Sequence, residues 1–357
     1  VSVLFISGSP SPVGAQVQTV SAATIGLDET LPLDPQVRVG QLQNGLRYYV
    51  RENDEPENRA ELRLVVNAGS ILEDDDQQGL AHFLEHMAFN GTTHFQKQKL
   101  VEYMESIGMR MGAGLNAGTS FDETTYILRV PTDSLEILET AFLILEDWAH
   151  GLAFDPQEID RERGVIVEEW RLGQGAGARM RDAQYPILFK DSRYAERLPI
   201  GKMDVVENFE PEVLKRFYRD WYRPDLMAVI AVGDFDEAHV EGLIQRHFTN
   251  LFSPTNPKPR TVYEVPDHAE TLFAIATDPE APSTNVSIYF KQPTQKQGTV
   301  AAYRQEIVES FFNSMLNQRL SEILQQADPP FISAGSSQGR LNRAKGAYIL
   351  GALVEDE

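Results

Sequence analysis

The stretch GLAHFLEHMAFNG at residues 79–91 carries the most informative pattern in this chain, His82-x-x-Glu85-His86. The stretch predicts a helix, and side chains three and four positions apart project from one face of a helix. Both imidazoles can therefore offer a nitrogen to a single Zn²⁺, with the glutamate beside the ion's open coordination position. A carboxylate at that place can take a proton from a zinc-activated water, so the pattern indicates metallopeptidase chemistry.

The alternative is a helix whose histidines lie close together by chance. The remaining positions of the stretch are mostly apolar, which predicts a helix buried on nearly every side. Three unpaired ionisable groups on a buried helix would cost several kcal/mol, and a bound metal removes that cost. The order of residues is the reverse of the commoner H-E-x-x-H and is known as the inverzincin signature. The zinc interpretation is therefore favoured.

Length, charge and composition narrow the class of protein. A chain of 357 residues suits two domains, and it has no apolar run long enough to span a bilayer. The net charge is 32 − 53 = −21, which disfavours nucleic acid and anionic membranes as partners. The absence of cysteine excludes a disulfide scaffold, a thiolate metal site and a cysteine nucleophile.

The N-terminus predicts export. Residues 1–8 resemble the end of an apolar signal core, and Val13-Gly14-Ala15 before Gln16 fits a small-residue cleavage site. No initiator Met or basic segment precedes them, so we expect the chain to begin inside a signal peptide. The predicted location is the periplasm.

Hydrophobic patterning predicts strands and helices in alternating groups. Asn44-Gly45 between two alternating runs indicates a hairpin, and residues 60–67 read as a central strand. Strands are also predicted near residues 110–115 and 124–130, with Asn116 to Phe121 as the connection between them.

A later helix has clear start signals, with Asp155 as N-cap and Pro156 at its first position. Gly164 inside it predicts the close approach of another helix. Glu162 and Glu169 are seven residues apart and share one face of this helix. Catalytic zinc takes three protein ligands, and residue chemistry leaves these two glutamates equally good candidates for the third. The five other histidines are interpreted as surface or core residues, because none recurs at ligand spacing.

The chain divides into four parts. Residues 1–34 are a signal remnant and leader, 35–252 the zinc-bearing domain, 253–270 a Pro-rich linker, and 271–357 a second, incomplete domain. The second domain repeats the order strand, helix, strand, beginning with a strand at 271–276, and its helix carries no histidine.

The residue pattern resembles the pitrilysin/insulysin family of zinc metallopeptidases, which includes the mitochondrial processing peptidases. The resemblance rests on His82-x-x-Glu85-His86 with the downstream helix that carries Glu162 and Glu169, and it extends through Asn116-Ala117-x-Thr119. The residues around the motif are most similar to those of the exported bacterial branch of the family. The resemblance spans roughly residues 35–357.

The resemblance implies a role for each matching residue. His82, His86 and Glu169 would hold one Zn²⁺ in the catalytic domain, and Glu85 would be the general base. Glu162 would orient a ligand from outside the metal's coordination sphere. Asn116 and Ala117 would lie on a strand to which an extended peptide adds through main-chain hydrogen bonds, although a plain polar turn is the alternative.

The resemblance also implies a fold and an activity. The expected fold is α+β, with repeats of a mostly antiparallel sheet covered by helices on one face, and the second repeat incomplete. The expected activity is zinc-dependent endopeptidase hydrolysis of peptides or unfolded segments. A missing C-terminal half or partner subunit is expected to close a chamber around the substrate. The alternative is a peptide-binding or structural subunit that retains zinc without turnover.

Overall fold

The computed structural model describes residues 26–110 and 112–355, which form two β-sheets with their helices. The strands are β1 (Arg38–Gln41), β2 (Arg47–Glu52), β3 (Arg59–Val66), β4 (Leu115–Thr119), β5 (Thr124–Pro131), β6 (Met227–Gly233), β7 (Thr284–Pro293), β8 (Ser333–Arg340) and β9 (Lys345–Val354). The helices are α1 (Leu80–Met87), α2 (Lys99–Ser106), α3 (Leu135–His150), α4 (Pro156–Gly173), α5 (Ala176–Leu188), α6 (Met203–Asn208), α7 (Pro211–Trp221), α8 (Glu237–Phe248) and α9 (Val300–Ile323).

The first sheet has the strand order β1-β2-β6-β3-β5-β4 in the described part of the chain. All pairs are antiparallel except the parallel pair of β2 and β6. In β3, the side chains of Leu62, Leu64 and Val66 are fully buried, whereas Glu61 and Arg63 point to the opposite face. Burying each of these apolar side chains contributes about 1.5–3 kcal/mol. Helices α3 and α8 pack on this sheet, which confirms the predicted α+β fold.

Two predictions made from the sequence can be compared with the strands of the first sheet. The hairpin of β1 and β2 is confirmed, with Gly45 at φ +96° in its turn. The predicted strand at 110–115 is wrong, because β4 begins only at Leu115. The N–H groups of Gly112 and Gly114 bond to the carbonyls of Leu115 and Arg110, so the local turn uses groups that a ladder would need. Asn116 therefore lies in a strand rather than in a connection.

Helix α4 begins as its sequence predicts, with the Asp155 side chain accepting the Gln157 N–H at 2.8 Å. The expectation that Gly164 admits a neighbouring helix is wrong. Gly164 is exposed, and a Cβ added there would meet nothing within 4 Å. The buried side of α4 is instead formed by Ile159, Glu162 and Ile166 together with Glu158.

The second sheet has the order β7-β9-β8 within the described residues, and α9 packs against β8. The order β7, α9, β8 and β9 parallels that of β3, the helices α1 and α2, β4 and β5, with one helix in place of two. Residues 249–283 between the two sheets form neither helix nor strand, so the strand predicted at 271–276 is wrong. In the first sheet β6 lies between β3 and β2 and pairs with both. β7 corresponds to β3, and among the described residues no strand lies beside β7 in the place that β6 has beside β3.

Two contacts connect the parts of the chain around the sheets. The buried carboxylate of Asp122, between β4 and β5, accepts hydrogen bonds from the Tyr194 hydroxyl, the Arg260 guanidinium and the backbone N–H of Arg343. The N-terminal segment forms backbone hydrogen bonds with the start of α9, over residues 27–31.

The predicted signal segment falls within residues 1–25, outside the described residues. None of the helices described is long and apolar enough to cross a bilayer.

Candidate metal centre

The start of α1 is held by a buried carboxylate. Gly79 adopts a left-handed conformation at φ +104°, and its N–H donates to Glu73 at 3.1 Å, as does the N–H of Ala81 at 2.8 Å. Glu73 is fully buried, and this burial raises its pKa to about 8, against the opposing effect of the two N–H donors. The backbone of Gly201 packs so closely on Gly79 that a Cβ there would overlap it. The N-terminus of the helix that carries the histidines is therefore held in one position.

The structure brings three possible ligand atoms together. The Nε2 atoms of His82 and His86 lie 3.2 Å apart, with the rings at an interplanar angle of 80°. The carboxylate of Glu169 on α4 lies 3.6 Å from Nε2 of His82 and 3.3 Å from Nε2 of His86. In residues 26–110 and 112–355, this is the one group of three or more His, Asp or Glu side chains with metal-ligand geometry.

The spacing of these atoms fits a zinc ion. Ligand atoms held at about 2.0–2.2 Å in a tetrahedron are about 3.3–3.6 Å apart, and the donor set of two imidazoles and one carboxylate is typical of catalytic zinc. Glu169 is about half exposed, with 49% of its side chain accessible, so one side of the cluster is open. An open side is what a substrate and a water require.

Glu162 occupies a different place from Glu169. Its Oε1 lies 2.7 Å from Nδ1 of His86, and its Oε2 accepts the Asn90 amide at 2.5 Å. A proton on Nδ1 leaves the lone pair of Nε2 facing His82 and Glu169. The structure thus separates two glutamates that residue chemistry alone could not, with Glu169 at the cluster and Glu162 behind His86. Glu168 turns away and pairs with Arg171.

Burial and charge act differently on the two histidines. Burial, followed by the charge of His86, lowers the pKa of His82 to about 3, so its imidazole is neutral and able to bind a cation. Burial also acts to lower the pKa of His86, but the hydrogen bond and charge of Glu162, with the charges of Glu85 and Glu169, raise it overall. An acidic surrounding of this kind favours a cation at the cluster.

Glu85 is buried beside the same helix face, with 8% of the residue accessible. Its Oε2 accepts the Thr119 hydroxyl at 2.6 Å. Burial raises the pKa of Glu85, and the charge of Glu169 adds to this, whereas the Thr119 hydrogen bond and the charge of His86 oppose it. A raised pKa is typical of a carboxylate that accepts and returns a proton.

Asn116 and Ala117 lie on β4, which ends the strand order of the first sheet as described. Asn116 pairs with Ile127 and Ala117 with Tyr126, and both partners belong to β5. The other side of β4 has no strand partner within residues 26–110 and 112–355. Main-chain groups on that side can pair with an extended peptide.

The other histidines of the described residues are not part of the cluster, and two of them bond to acidic side chains. His94 bonds to Asp147 at 2.8 Å, and His247 bonds to Glu146 at 2.6 Å. Sequence reasoning missed the contacts that Thr119, Asn90 and Glu73 make around the motif helix. Asn90, four residues after His86, could have been found from helical spacing. The other two contacts join separate elements and leave no local signal.

Two family profiles match the chain. The profile described as Insulinase (Peptidase family M16) matches residues 48–176, and the one described as Peptidase M16 inactive domain matches residues 208–357. A curated relative from Arabidopsis thaliana, a zinc protease PQQL-like, is 42% identical over 82% of this chain and 31% of its own length. The probable zinc protease PqqL of Escherichia coli is 36% identical over 86% of this chain and 33% of its own. The chain therefore spans about a third of these relatives.

Solved structures agree with these matches. The crystal structure of the periplasmic protease PqqL from Escherichia coli superposes with a TM-score of 0.83 at 32% identity, covering 92% of this chain and 36% of that one. The crystal structure of the first half of the same protease gives 0.81 at 31% identity, covering 92% of this chain and 70% of that one.

Proposed function

This chain belongs to the insulinase (M16) family of peptidases, and from that premise we propose that it is the zinc-bearing part of a metalloendopeptidase. One observation carries the proposal: two imidazole nitrogens and a carboxylate converge within 4.8 Å of one another, beside a buried carboxylate and an edge strand. The substrate class is peptides and unfolded protein segments. Such substrates expose the extended backbone that an edge strand requires, whereas a folded protein has most of its backbone already paired.

The metal would be held by His82, His86 and Glu169. When bound, zinc supplies Lewis-acid polarisation of the scissile carbonyl and lowers the pKa of a water molecule. Glu162 keeps the proton of His86 on Nδ1, which holds the ring with Nε2 toward the cluster. The neutral state of His82 makes its Nε2 available without a proton having to leave first.

Glu85 would move the proton. Its carboxylate takes a proton from the attacking water and later gives it to the nitrogen of the leaving amine. Burial raises the pKa of Glu85, which favours the protonated form that follows proton transfer from water. The same burial keeps bulk water away from the carboxylate during the transfer.

Strand β4 would hold the substrate. Its unpaired side, at Asn116 and Ala117, can add an extended peptide as a further strand of the first sheet. The main-chain hydrogen bonds of such a strand depend on backbone and not on side chains, so this strand would accept many sequences.

The test is metal analysis with peptide cleavage. The purified chain is expected to retain close to one zinc per molecule and to cleave a quenched fluorescent peptide library. Glu85→Gln should keep the zinc and lose cleavage by at least about 100-fold, because general base catalysis contributes 10²–10⁴-fold. Glu168→Gln, which removes the same charge from an exposed position, serves as the matched control.

Each outcome has a distinct meaning. No zinc would refute the central proposal. Stoichiometric zinc without Glu85-dependent cleavage would instead support a peptide-binding subunit that retains its metal.

We further propose that another polypeptide segment, either a C-terminal half or a partner subunit, covers the second sheet and closes the chamber. Large apolar side chains of β7 and α9 are exposed there, including Ile288, Phe290 and Phe311. The chain covers 36% of the PqqL structure that it resembles, which leaves ample sequence in such relatives for a covering part. In this arrangement residues 35–252 form the catalytic domain, 253–270 the linker and 271–357 part of the second domain.

Complementation tests this arrangement. Coexpression with the C-terminal two-thirds of the Escherichia coli relative should reduce binding of a hydrophobic dye and raise kcat/KM. An unchanged dye signal and unchanged kcat/KM would count against it. The solved relative is described as periplasmic, and we propose the same compartment for this chain. Fractionation of cells that express the natural precursor would test this location.

A further inference from the structure

Thr119 is the point at which the edge strand contacts the proposed base. It is the last residue of β4, and its Oγ1 donates to Oε2 of Glu85 on α1 at 2.6 Å. A hydrogen bond from a hydroxyl to a carboxylate is charge-assisted and therefore stronger than a neutral one. Glu85 is buried, so little water competes for this interaction.

Neighbouring groups direct the Thr119 proton toward Glu85. The hydroxyl of Thr124 lies 3.5 Å from that of Thr119, but Thr124 is fully buried and donates its own proton to the carbonyl of Ala68 at 3.0 Å. Behind it, the hydroxyls of Tyr126 and Tyr222 bond to each other at 2.8 Å. The Thr119 hydroxyl is 2.6 Å from the charged Oε2 of Glu85 and 3.5 Å from the neutral Thr124 hydroxyl, so the closer and charged oxygen of Glu85 accepts its proton.

We propose that Thr119 is a positioning residue for Glu85, which fixes one carboxylate oxygen and leaves the other for proton transfer. This inference rests on the proposed function. Asn116 and Ala117, the proposed peptide-binding residues, precede Thr119 on the same strand. The strand that aligns the peptide thus also aligns the base, and a shift of β4 would misplace both together.

A pair of substitutions tests this role. Thr119→Val keeps the shape of the side chain and removes the hydroxyl, whereas Thr119→Ser keeps the hydroxyl. Thr119→Val is expected to lower kcat by about tenfold or more, because it removes a hydrogen bond to a charged group. KM should stay within about twofold, because the hydroxyl bonds to Glu85 and the backbone of β4 binds the peptide. Thr119→Ser should restore kcat to within about threefold of the wild type.

The matched control is Thr125→Val. Thr125 is on β5, next to Thr124 and on the opposite face of the sheet, because successive side chains of a strand alternate. It should leave kcat unchanged. All variants should bind zinc as the wild type does, since the hydrogen bonds of the Thr119 hydroxyl in the described structure go to Glu85 and Thr124 and not to the three ligand side chains.

A crystal structure of metal-free Thr119→Val provides a second readout that does not depend on activity. The Glu85 carboxylate should leave its wild-type position there and keep it in Thr119→Ser. A wild-type kcat, or an unmoved Glu85, in Thr119→Val would overturn the inference. If the wild-type chain shows no Glu85-dependent cleavage, the proposed function fails, and the crystal structures still decide whether Thr119 positions Glu85.

Discussion

The contact between Glu162 and His86 makes a quantitative prediction about zinc affinity. In Glu162→Gln one carbonyl oxygen must replace two carboxylate oxygens, which accept His86 Nδ1 at 2.7 Å and the Asn90 amide at 2.5 Å. If the amide oxygen faces His86, its NH₂ group faces the NH₂ group of Asn90. One hydrogen bond becomes neutral and the other is lost.

The expected magnitude follows from these two bonds. A hydrogen bond to a charged group contributes about 1.5–3 kcal/mol, and a neutral one about 0.5–1.5 kcal/mol. Only the bond to His86 acts directly on a metal ligand, and its weakening or loss costs about 1–3 kcal/mol, or a rise of about 5–150-fold in the Kd for zinc. This agrees with the roughly 10–100-fold effect of removing outer partners of metal ligands in other proteins.

Competition with a chromogenic chelator at fixed pH measures the Kd. The matched control is Glu168→Gln, which changes the net charge equally, one residue from Glu169. Glu168 is exposed and pairs with Arg171, so this change should leave zinc affinity nearly unaltered. A Kd for Glu162→Gln within twofold of that for Glu168→Gln would refute the assigned role of Glu162.

Three further predictions concern buried contacts that do not involve the proposed metal ligands. In its buried place Glu73 has a pKa near 8, against 4.5 ordinarily, so the folded state binds its proton more tightly than the unfolded chain. Its contribution to the free energy of unfolding is therefore full below pH 4.5 and is lost as the pH rises through about 8. In metal-free protein, the stability of the wild type relative to Glu73→Gln should fall between pH 5 and pH 8 in urea titrations. Gly201→Ala should destabilise the protein by about 2–5 kcal/mol and weaken zinc binding, because its methyl group would overlap Gly79. Asp122→Asn should speed tryptic cleavage after Arg260, whose side chain is 8% exposed and bonds to that carboxylate.

Controls for these variants are available in the chain. Gly242→Ala places a methyl group in open space on α8 and should not destabilise the protein. Glu123→Gln removes an exposed charge next to Asp122 and should leave the rate of tryptic cleavage almost unchanged. A pH-independent difference for Glu73→Gln would contradict the buried-carboxylate argument. Wild-type stability for Gly201→Ala would contradict the proposed close contact.

The sequence was sufficient wherever the relevant contacts are local. The pattern of His82, Glu85 and His86 places all three on one helix face by spacing alone, and α1 has that face in the structure. The hairpin at Gly45 and the cap of α4 at Asp155 were predicted for the same reason. Each depends on residues within a few positions of one another.

Predictions failed where an element depends on a distant partner. Residues 271–276 have a strand-like pattern, but a strand needs a neighbour, and the described residues provide none at that place. Gly164 satisfied a rule about helix packing, yet it lies on the exposed side of α4. A glycine allows a neighbouring element to approach closely, but its presence in the sequence does not show which side of the helix faces the protein interior.

The motif by itself determined two histidines and a carboxylate on one helix, and it indicated zinc. Residue spacing left Glu162 and Glu169 equal, the family resemblance named Glu169, and the tertiary structure places Glu169 beside both imidazoles. Glu162 and Glu169 share a face of α4, and the packing of α1 against that helix places one behind His86 and the other beside both Nε2 atoms. It also brought Thr119 to Glu85 from a separate strand. These contacts join segments far apart in the chain, and their geometry is set by the packing of the core, which no local pattern encodes.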